Sequence, residues 1–166
     1  MLIRPYTPAD SAAVLELFRY TVKTVNAHDY TPLEIAAWLR EEDVDPAAWS
    51  ASFHEKAAWV AVGRAGELVG FADCDAQTGL IDRLFVHPDH QGEGIGSALL
   101  TKLEAAVADN VSSLTVFASL TARSFFERHG YAVASDNVVR RSFHHHGKLL
   151  TVDIANFRMQ KSRPTA

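Results

Sequence analysis

Cysteine and basic residues are the scarce features of this 166-residue sequence. A lone cysteine, Cys74, excludes an intrachain disulfide framework and fits a reducing compartment, so we expect a cytoplasmic protein. The formal net charge of -4, from 16 Lys and Arg against 20 Asp and Glu, gives no reason to expect nucleic acid as a partner. The acidic balance mildly favours a cationic substrate, such as an amine.

Long apolar runs and targeting signals are also missing. No stretch approaches the roughly 20 apolar residues of a membrane-spanning helix, and the start of the chain lacks the basic and apolar regions of a signal peptide. Internal repeats and linker-like stretches are absent, and a hydrophobic content of 48% is ordinary for a soluble protein. We expect one domain over residues 1–166 and no membrane partner. The oligomeric state stays open, with a homodimer among the alternatives.

Periodic apolar positions and turn residues predict the order of helices and strands. Residues 7–10, Thr-Pro-Ala-Asp, and 31–34, Thr-Pro-Leu-Glu, are helix-start signals, and Asp45-Pro46 opens a third helix. Three strands joined by short turns follow over residues 58–86 as an antiparallel meander. A long helix, a strand, a short helix and two strands around a His-rich loop complete the chain. The order β-α-α-α-β-β-β-α-β-α-β-β predicts an α+β fold with helices on a mixed sheet.

Three alternating glycines lie in residues 91–96, Gln-Gly-Glu-Gly-Ile-Gly, between the last meander strand and the long helix. The first N–H groups of a helix have no partner within it, and the helix dipole adds positive charge there. Glycines remove side chains that would hold a phosphate away, and they tolerate positive φ. A glycine inside a helix costs about 1 kcal/mol, so we expect an anion site here instead of a helix start without a ligand.

The identity of the anion follows from comparing phosphate-binding patterns. A Walker loop requires a lysine, and none occurs between Gln91 and Leu100. A dinucleotide fingerprint requires a third glycine where Ser97 stands, and it opens a βαβ unit instead of following a meander. The remaining pattern, Gln/Arg-x-x-Gly-x-Gly/Ala, matches residues 91–96 at every defined position. We interpret the turn as a binding site for the pyrophosphate of coenzyme A.

Together with residues 84–88, Leu-Phe-Val-His-Pro, this turn resembles the acetyl-CoA site of the GNAT N-acetyltransferase superfamily. Residues 125–131, Phe-Phe-Glu-Arg-His-Gly-Tyr, resemble its second cofactor-side motif. Residues 4–6, Arg-Pro-Tyr, and 156–159, Asn-Phe-Arg-Met, resemble the YafP-like branch. The resemblance covers nearly the whole chain in element order. It implies a mixed, mostly antiparallel sheet with helices on both faces, and acetyl transfer from acetyl-CoA to an amine.

The resemblance also implies where the cosubstrate acetyl-CoA binds. The backbone amides of residues 92–97 would bind the pyrophosphate. The pantetheine arm would enter where the strand that contains residues 84–86 separates from the next strand. The cofactor-binding residues expected on this basis are Leu84, Phe85, Val86, Gln91, Gly92, Glu93, Gly94, Ile95, Gly96, Ser97, Ser119 and Phe126.

Acylation of an amine needs a proton acceptor, and a proton donor can assist departure of the thiolate. The superfamily usually has a tyrosine before Glu-Arg/Lys-x-Gly for the second task, but Phe126 occupies that place. Ser119, Thr121 and Ser124 are nearby hydroxyls, and we take Tyr131 as the candidate acid. The alternatives are a purely structural Tyr131, direct departure of the thiolate, or donation through water.

Asp82 is our candidate for the base. It lies in the middle of a predicted strand, where aspartate is disfavoured, just upstream of the expected pantetheine contacts. The alternative is a structural ion pair with Arg83 or another basic residue. Asp73 and Asp75 flank Cys74 on the neighbouring strand and could line the same cleft, whereas Cys74 lacks the His and acid of a nucleophile.

The run His144-His145-His146 raises the question of a metal. Adjacent strand residues point to opposite faces, so only two of these histidines could share an ion, and no third ligand is evident. We expect a polar hairpin loop and no metal. The resulting hypothesis is direct acetyl transfer to an unidentified amine in a ternary complex. A non-catalytic acyl-CoA-binding regulatory module is the alternative, which Phe126 keeps open.

Overall fold

A seven-stranded sheet forms the centre of the structure, a computed structural model that describes residues 1–164. The strands are β1 (Leu2–Pro5), β2 (Ala57–Val62), β3 (Leu68–Asp75), β4 (Leu80–Val86), β5 (Ser113–Ser119), β6 (Ala132–His145) and β7 (Lys148–Ser162). Their spatial order is β1-β2-β3-β4-β5-β7-β6, and only β4 and β5 pair in parallel. The mostly antiparallel mixed sheet is therefore confirmed. The last two residues of the predicted domain, Thr165 and Ala166, lie outside the described residues.

Five α-helices connect the strands in the predicted order. They are α1 (Ser11–Thr24), α2 (Pro32–Leu39), α3 (Pro46–Ala51), α4 (Ile95–Ala106) and α5 (Arg123–Arg128). The first helix-start signal opens a short 3₁₀ turn, and α1 begins only at Ser11. The carboxylate of Asp10 holds this turn by accepting hydrogen bonds from Thr7 N and from the Arg4 guanidinium, each at 2.8 Å. No helix within residues 1–164 is long and apolar enough to cross a membrane.

Helices cover both faces of the sheet, as predicted. On one face, α4 and α5 bury side chains such as Leu99 and Leu103 against Met159 of β7. On the other face, α1, α2 and α3 pack residues such as Phe18 against Phe71 of β3. Two apolar cores therefore lie on opposite faces of the sheet, which is the boundary between them.

The His-rich segment consists of the end of a strand and a tight turn. The predicted polar loop is therefore wrong in its length, because the turn is much shorter than expected. Strand β6 continues to His145, and the chain reverses at His146 and Gly147, with φ of 52° and 73°. Two positive φ values suit a two-residue hairpin turn. Glu42 and Asp43, in the linker between α2 and α3, accept hydrogen bonds from backbone N–H groups of this hairpin tip. A contact between residues about a hundred positions apart cannot be predicted from local sequence patterns.

Replacing Asp43 with alanine is expected to loosen the hairpin tip. Hydrogen bonds from the backbone and ring of His144 hold the pKa of Asp43 below its ordinary value of 3.8. A carboxyl group whose pKa is lower in the folded state than in the unfolded state stabilises the fold at pH values above the unfolded-state pKa. This contribution is lost as the pH falls through the folded-state pKa. At pH 7, the backbone amides of residues 144–147 should therefore lose protection against hydrogen exchange in the variant. In the wild type, the same amides should lose protection only under acid conditions. Unchanged protection in the variant would contradict the docking.

Candidate active site

Strands β4 and β5 separate after a very short contact. They pair only at Leu80 with Thr115 and at Ile81 with Val116, and then diverge. A cavity of about 820 Å³ lies at the divergence and is lined by residues from both faces of the sheet. Its size falls within the roughly 300–1,000 Å³ that is usual for ligand sites. The opening between the strands lies where the resemblance implied an entrance for the pantetheine arm.

The glycine turn forms one wall of this cavity. Gly92 and Gly94 have φ of 79° and 81°, in the left-handed region that only glycine adopts at little cost. A Cβ atom built at either position would meet nothing within 4 Å. Gly94 is the N-cap of α4 and has no side chain to satisfy the first amides of that helix. The turn therefore presents free amides and open space together, which is what a bound anion requires.

Most residues expected to bind the cofactor are gathered around this cavity. The lining includes Leu84, Phe85, Val86, Gln91, Gly92, Gly94, Ile95, Gly96, Ser97, Ser119 and Phe126. Glu93 is the exception, because its carboxylate lies 3.3 Å from His90 Nδ1 and is largely exposed. The cavity wall is formed by three segments: the glycine turn, the open edge of β4 and the start of α5.

Asp82 is the extra residue of a β-bulge in β4. On the facing strand, Cys74 pairs with Ile81 and Asp73 pairs with Arg83, so Asp82 has no opposite residue. Bulges redirect a side chain and are common beside active sites. Asp82 lines the cavity, and its Oδ2 contacts the ammonium of Lys56. The carboxylate is therefore both an ion-pair partner and a cavity residue.

Asp73 and Asp75 do not line the cavity, so this expectation is wrong. The Asp73 side chain is fully buried, accepts a hydrogen bond from Arg83 Nε at 2.9 Å and lies 3.8 Å from Lys56 Nζ. Burial raises the pKa of Asp73, and the hydrogen bond from Arg83 opposes that rise. Asp75 instead accepts hydrogen bonds from two backbone amides of the following turn. Burial also raises the pKa of Cys74 to about 11, which suits a core residue and not a nucleophile.

Tyr131 does not line the cavity. Its ring is 3% exposed in the core on the α4 side, and its hydroxyl donates a hydrogen bond to Glu104 Oε1 at 2.9 Å. Burial raises the pKa of Tyr131, and the negative charge of Glu104 raises it further. The structure therefore separates Tyr131 from Asp82, and we do not retain it as the acid. Phe126, which does line the cavity, has no hydroxyl to replace it.

Thr121 is a cavity residue that sequence reasoning mentioned only among several hydroxyls. Its Oγ1 is buried and has no hydrogen-bond partner among residues 1–164. The neighbouring Ser119 Oγ, by contrast, accepts a hydrogen bond from Ala122 N at 3.0 Å. A buried hydroxyl without a partner is uncommon and calls for an explanation.

Two cationic residues of the cavity wall, Arg40 and Arg141, were also missed. Arg141 appeared in the sequence only as half of a basic pair with Arg140. The available signal was strand alternation, because Val139, Arg141 and Phe143 occupy one face of β6. An arginine in an otherwise apolar inward row is a candidate for function.

No metal-ligand group is found within residues 1–164. No three His, Cys, Asp or Glu side chains there come close enough to hold an ion. His144, one of the two histidines that could have shared a metal, has its ring Nδ1 2.8 Å from Asp43 Oδ1. This contact attaches the hairpin tip to the linker between α2 and α3.

Comparisons with known proteins agree with this geometry. A family model described as the acetyltransferase (GNAT) domain matches residues 26–147. The uncharacterized N-acetyltransferase YafP of Escherichia coli (strain K12) is 36% identical over 129 residues, which is 78% of this chain and 79% of YafP. A GCN5-related N-acetyltransferase from Rhodopseudomonas palustris has a TM-score of 0.83 and 33% identity, covering 98% of this chain and 95% of that one. The PaiA N-acetyltransferase of Thermoplasma acidophilum, solved with coenzyme A, has a TM-score of 0.71 at 19% identity and 98% coverage of both chains.

The diverging strands, the glycine turn and the matched family model define the class of protein as an acetyltransferase. The shared sequence extends over most of the chain. The chain belongs to the GNAT family, within its YafP-like branch.

Proposed function

We propose that this protein transfers the acetyl group of acetyl-CoA to a primary amine of a small molecule or peptide, by direct attack in a ternary complex. The observation that carries the proposal is that one cavity joins the glycine turn to Asp82 through the gap between β4 and β5. The structural neighbour PaiA, solved with coenzyme A, supports the choice of cosubstrate. Residues 1–166 act in this proposal as one acetyltransferase domain.

The cosubstrate would be held mainly by backbone groups. The amides of residues 92–97 bind its pyrophosphate, where the absence of side chains at Gly92 and Gly94 leaves room. Residues 84–86 of β4 pair with β3 on one edge, and beyond Ile81 they have no pairing with β5 on the other. Backbone polar groups on that open edge need partners, and the amides of a pantetheine arm can supply them.

Asp82 removes the proton of the attacking amine, directly or through water. A lysine-like amine with a pKa of about 10.4 is only about 0.04% neutral at pH 7, so a base has a large effect. Oδ2 of Asp82 is engaged by Lys56, and Oδ1 has no hydrogen-bond partner within residues 1–164. The second oxygen is therefore free to accept a proton, while Lys56 fixes the direction of the carboxylate.

Thr121 donates a hydrogen bond that stabilises the departing thiolate, in place of the missing tyrosine at position 126. Replacing Thr121 with valine keeps the shape of the side chain and removes the donor. A hydrogen bond to a charged group is worth about 1.5–3 kcal/mol, so kcat should fall roughly ten- to hundredfold. Steady-state kinetics with saturating amine should show little change in KM for acetyl-CoA.

Two further variants test the role of Thr121. Thr121→Ser retains the hydroxyl and should retain most of the activity. Ser124→Ala removes an exposed hydroxyl from the same cavity wall and should have little effect. Full activity in Thr121→Val, or an equal loss in Thr121→Ser, would rule out hydrogen-bond donation by Thr121.

The proposed function is tested by binding and turnover together. Thermal-shift measurements with acetyl-CoA and CoA come first, followed by a thiol-release screen over polyamines, amino acids, aminoglycosides and peptides. We expect stabilisation by both cofactors and thiol release with at least one amine. No stabilisation by either cofactor would exclude the proposal. Stabilisation without turnover on any amine would favour the non-catalytic acyl-CoA-binding module.

A further inference from the structure

Three arginines line the cavity on the side covered by α1, α2 and α3, and one of them, Arg83, is paired with the buried Asp73. The other two are Arg40 and Arg141. Arg141 lies on β6 in the inward row of Val139 and Phe143, and pairs across the hairpin with Val152. Arg40 follows α2 directly, as its left-handed C-cap residue. The glycine turn lies at the start of α4, which covers the opposite face of the sheet. The two cations are therefore on the acceptor side of the cavity.

Neither arginine has a carboxylate within salt-bridge distance among residues 1–164. Arg141 makes one long hydrogen bond, from Nη1 to the carbonyl oxygen of Trp38 at 3.5 Å. Burial lowers the pKa of Arg141, and the positive charge of Arg40 lowers it further. Most of the five N–H donors of the Arg141 guanidinium are therefore left for another partner.

The neighbouring acids are engaged elsewhere. Glu42 and Asp43 accept hydrogen bonds from the hairpin tip. Asp153, on the adjacent strand β7, forms an ion pair with Arg140, whose side chain is exposed. The charge of Arg40 helps to lower the pKa of Asp43, but no carboxylate within residues 1–164 forms an ion pair with either arginine. A half-buried charge without a partner is costly, so its retention on a cavity wall points to a ligand.

We propose that the acceptor amine carries an oxyanion group, a carboxylate or a phosphate, which Arg141 binds with the help of Arg40. This inference rests on the proposed function and names its substrate class. The planar guanidinium of Arg141 matches two oxygens of a carboxylate or phosphate at once. Arg40, which is more exposed, contributes its charge to the same end of the cavity.

The register of the strands also indicates the length of the acceptor. Ser119, at the end of β5, pairs with Asn156, and Val152, opposite Arg141, lies four residues further along β7. Four strand residues span roughly 13 Å at about 3.3 Å per residue. Asp82 follows Ile81, which pairs with Val116 of β5, and Val116 pairs with Met159 of β7, so the base lies at least as far along the sheet from Arg141 as Ser119 does. The acceptor is therefore an extended molecule, such as a short peptide, and not an α-amino acid.

Three matched pairs of amines test the proposal in a thiol-release assay with acetyl-CoA. They are triglycine and triglycinamide, 6-aminohexanoate and hexylamine, and 6-aminohexyl phosphate and 6-aminohexanol. In the wild type, kcat/KM for at least one member with an anionic group should exceed that of its partner without the anion by roughly ten- to hundredfold, as expected for hydrogen bonds to a charged group. Equal kcat/KM within all three pairs would overturn the proposal.

Arginine variants locate the effect. Arg141→Gln should remove most of the preference for the anion and leave kcat/KM of the partner without the anion within about twofold. Arg140→Gln is the matched control, since it removes one positive charge from the next position of β6, outside the cavity lining. It should leave both values unchanged. An equal loss for the members with and without the anion in Arg141→Gln, with a lower melting temperature, would instead assign Arg141 a structural role and overturn the proposal.

Binding without turnover separates this inference from the proposed function. Trp38 and Trp49 line the same cavity, so tryptophan fluorescence can report occupation of the acceptor side. Triglycine should bind more tightly than triglycinamide to the wild type and to Arg140→Gln, and this difference should vanish in Arg141→Gln. That result would sustain the anion site even if no amine were acetylated. Equal binding of the two peptides to the wild type would exclude the site.

Discussion

Replacing Asp82 with asparagine is expected to lower kcat/KM for the amine by about 10²- to 10⁴-fold, the usual contribution of a positioned base. In the variant, the rate should rise with pH only as the neutral fraction of the amine increases. KM for acetyl-CoA should change little, because backbone groups carry most of the proposed contacts to this cosubstrate. The partly exposed ion pair with Lys56 contributes at most about 1 kcal/mol to stability, so the fold should persist.

Asp153→Asn is the matched control for this variant. Asp153 is also a partly exposed strand carboxylate in an ion pair with a basic residue, but it does not line the cavity. Kinetic constants of Asp153→Asn should equal those of the wild type, and circular dichroism should show both variants folded. If Asp82→Asn retained kcat/KM and the shape of its pH profile, the carboxylate would not be the base.

Replacing Gly94 with alanine is expected to weaken acetyl-CoA binding by about 10²- to 10⁴-fold, since two hydrogen bonds to a charged group are worth about 3–6 kcal/mol. The φ of 81° at Gly94 costs an L-residue about 1–2 kcal/mol, so the turn would shift. The added methyl group would also occupy the open space in front of the helix amides. Isothermal titration with acetyl-CoA measures the change in Kd.

Gly66→Ala separates backbone strain from loss of the cofactor site. Gly66 has a φ of 88°, and a Cβ atom there would also meet nothing within 4 Å, but the residue lies in the turn between β2 and β3. Both variants should lose similar thermal stability, and only Gly94→Ala should lose affinity. Wild-type affinity in Gly94→Ala would show that the turn does not hold the pyrophosphate.

The parts of the fold that were predictable depend on neighbours in sequence. The signal Thr31-Pro32-Leu33-Glu34 correctly located the start of α2, where Thr31 Oγ1 accepts a hydrogen bond from Glu34 N at 3.2 Å. The glycine turn is similarly local, because its left-handed residues precede the helix that they cap. The end of β6 was not predictable, since its last residues are held by Glu42 and Asp43 from a distant linker.

The candidate site was predictable only in part, for the same reason. The sequence indicates that Asp82 is unusual in a strand, but the bulge that redirects it exists only when β3 and β4 pair. Tyr131 follows Gly130 closely in sequence and yet faces the core with Glu104. Overall composition also says nothing about local charge, since a net charge of -4 does not indicate that the cavity wall carries Arg40 and Arg141.

The position of β7 in the sheet has a consequence for the order of synthesis. This strand is the last of the described strands in sequence, but it is inserted between β5 and β6 instead of being added at an edge. Ile154 and Asn156 of β7 contribute to the cavity wall. A nascent chain that has emerged from the ribosome only as far as α5 already contains the glycine turn and Asp82. Its cavity wall is complete only after β7 has followed.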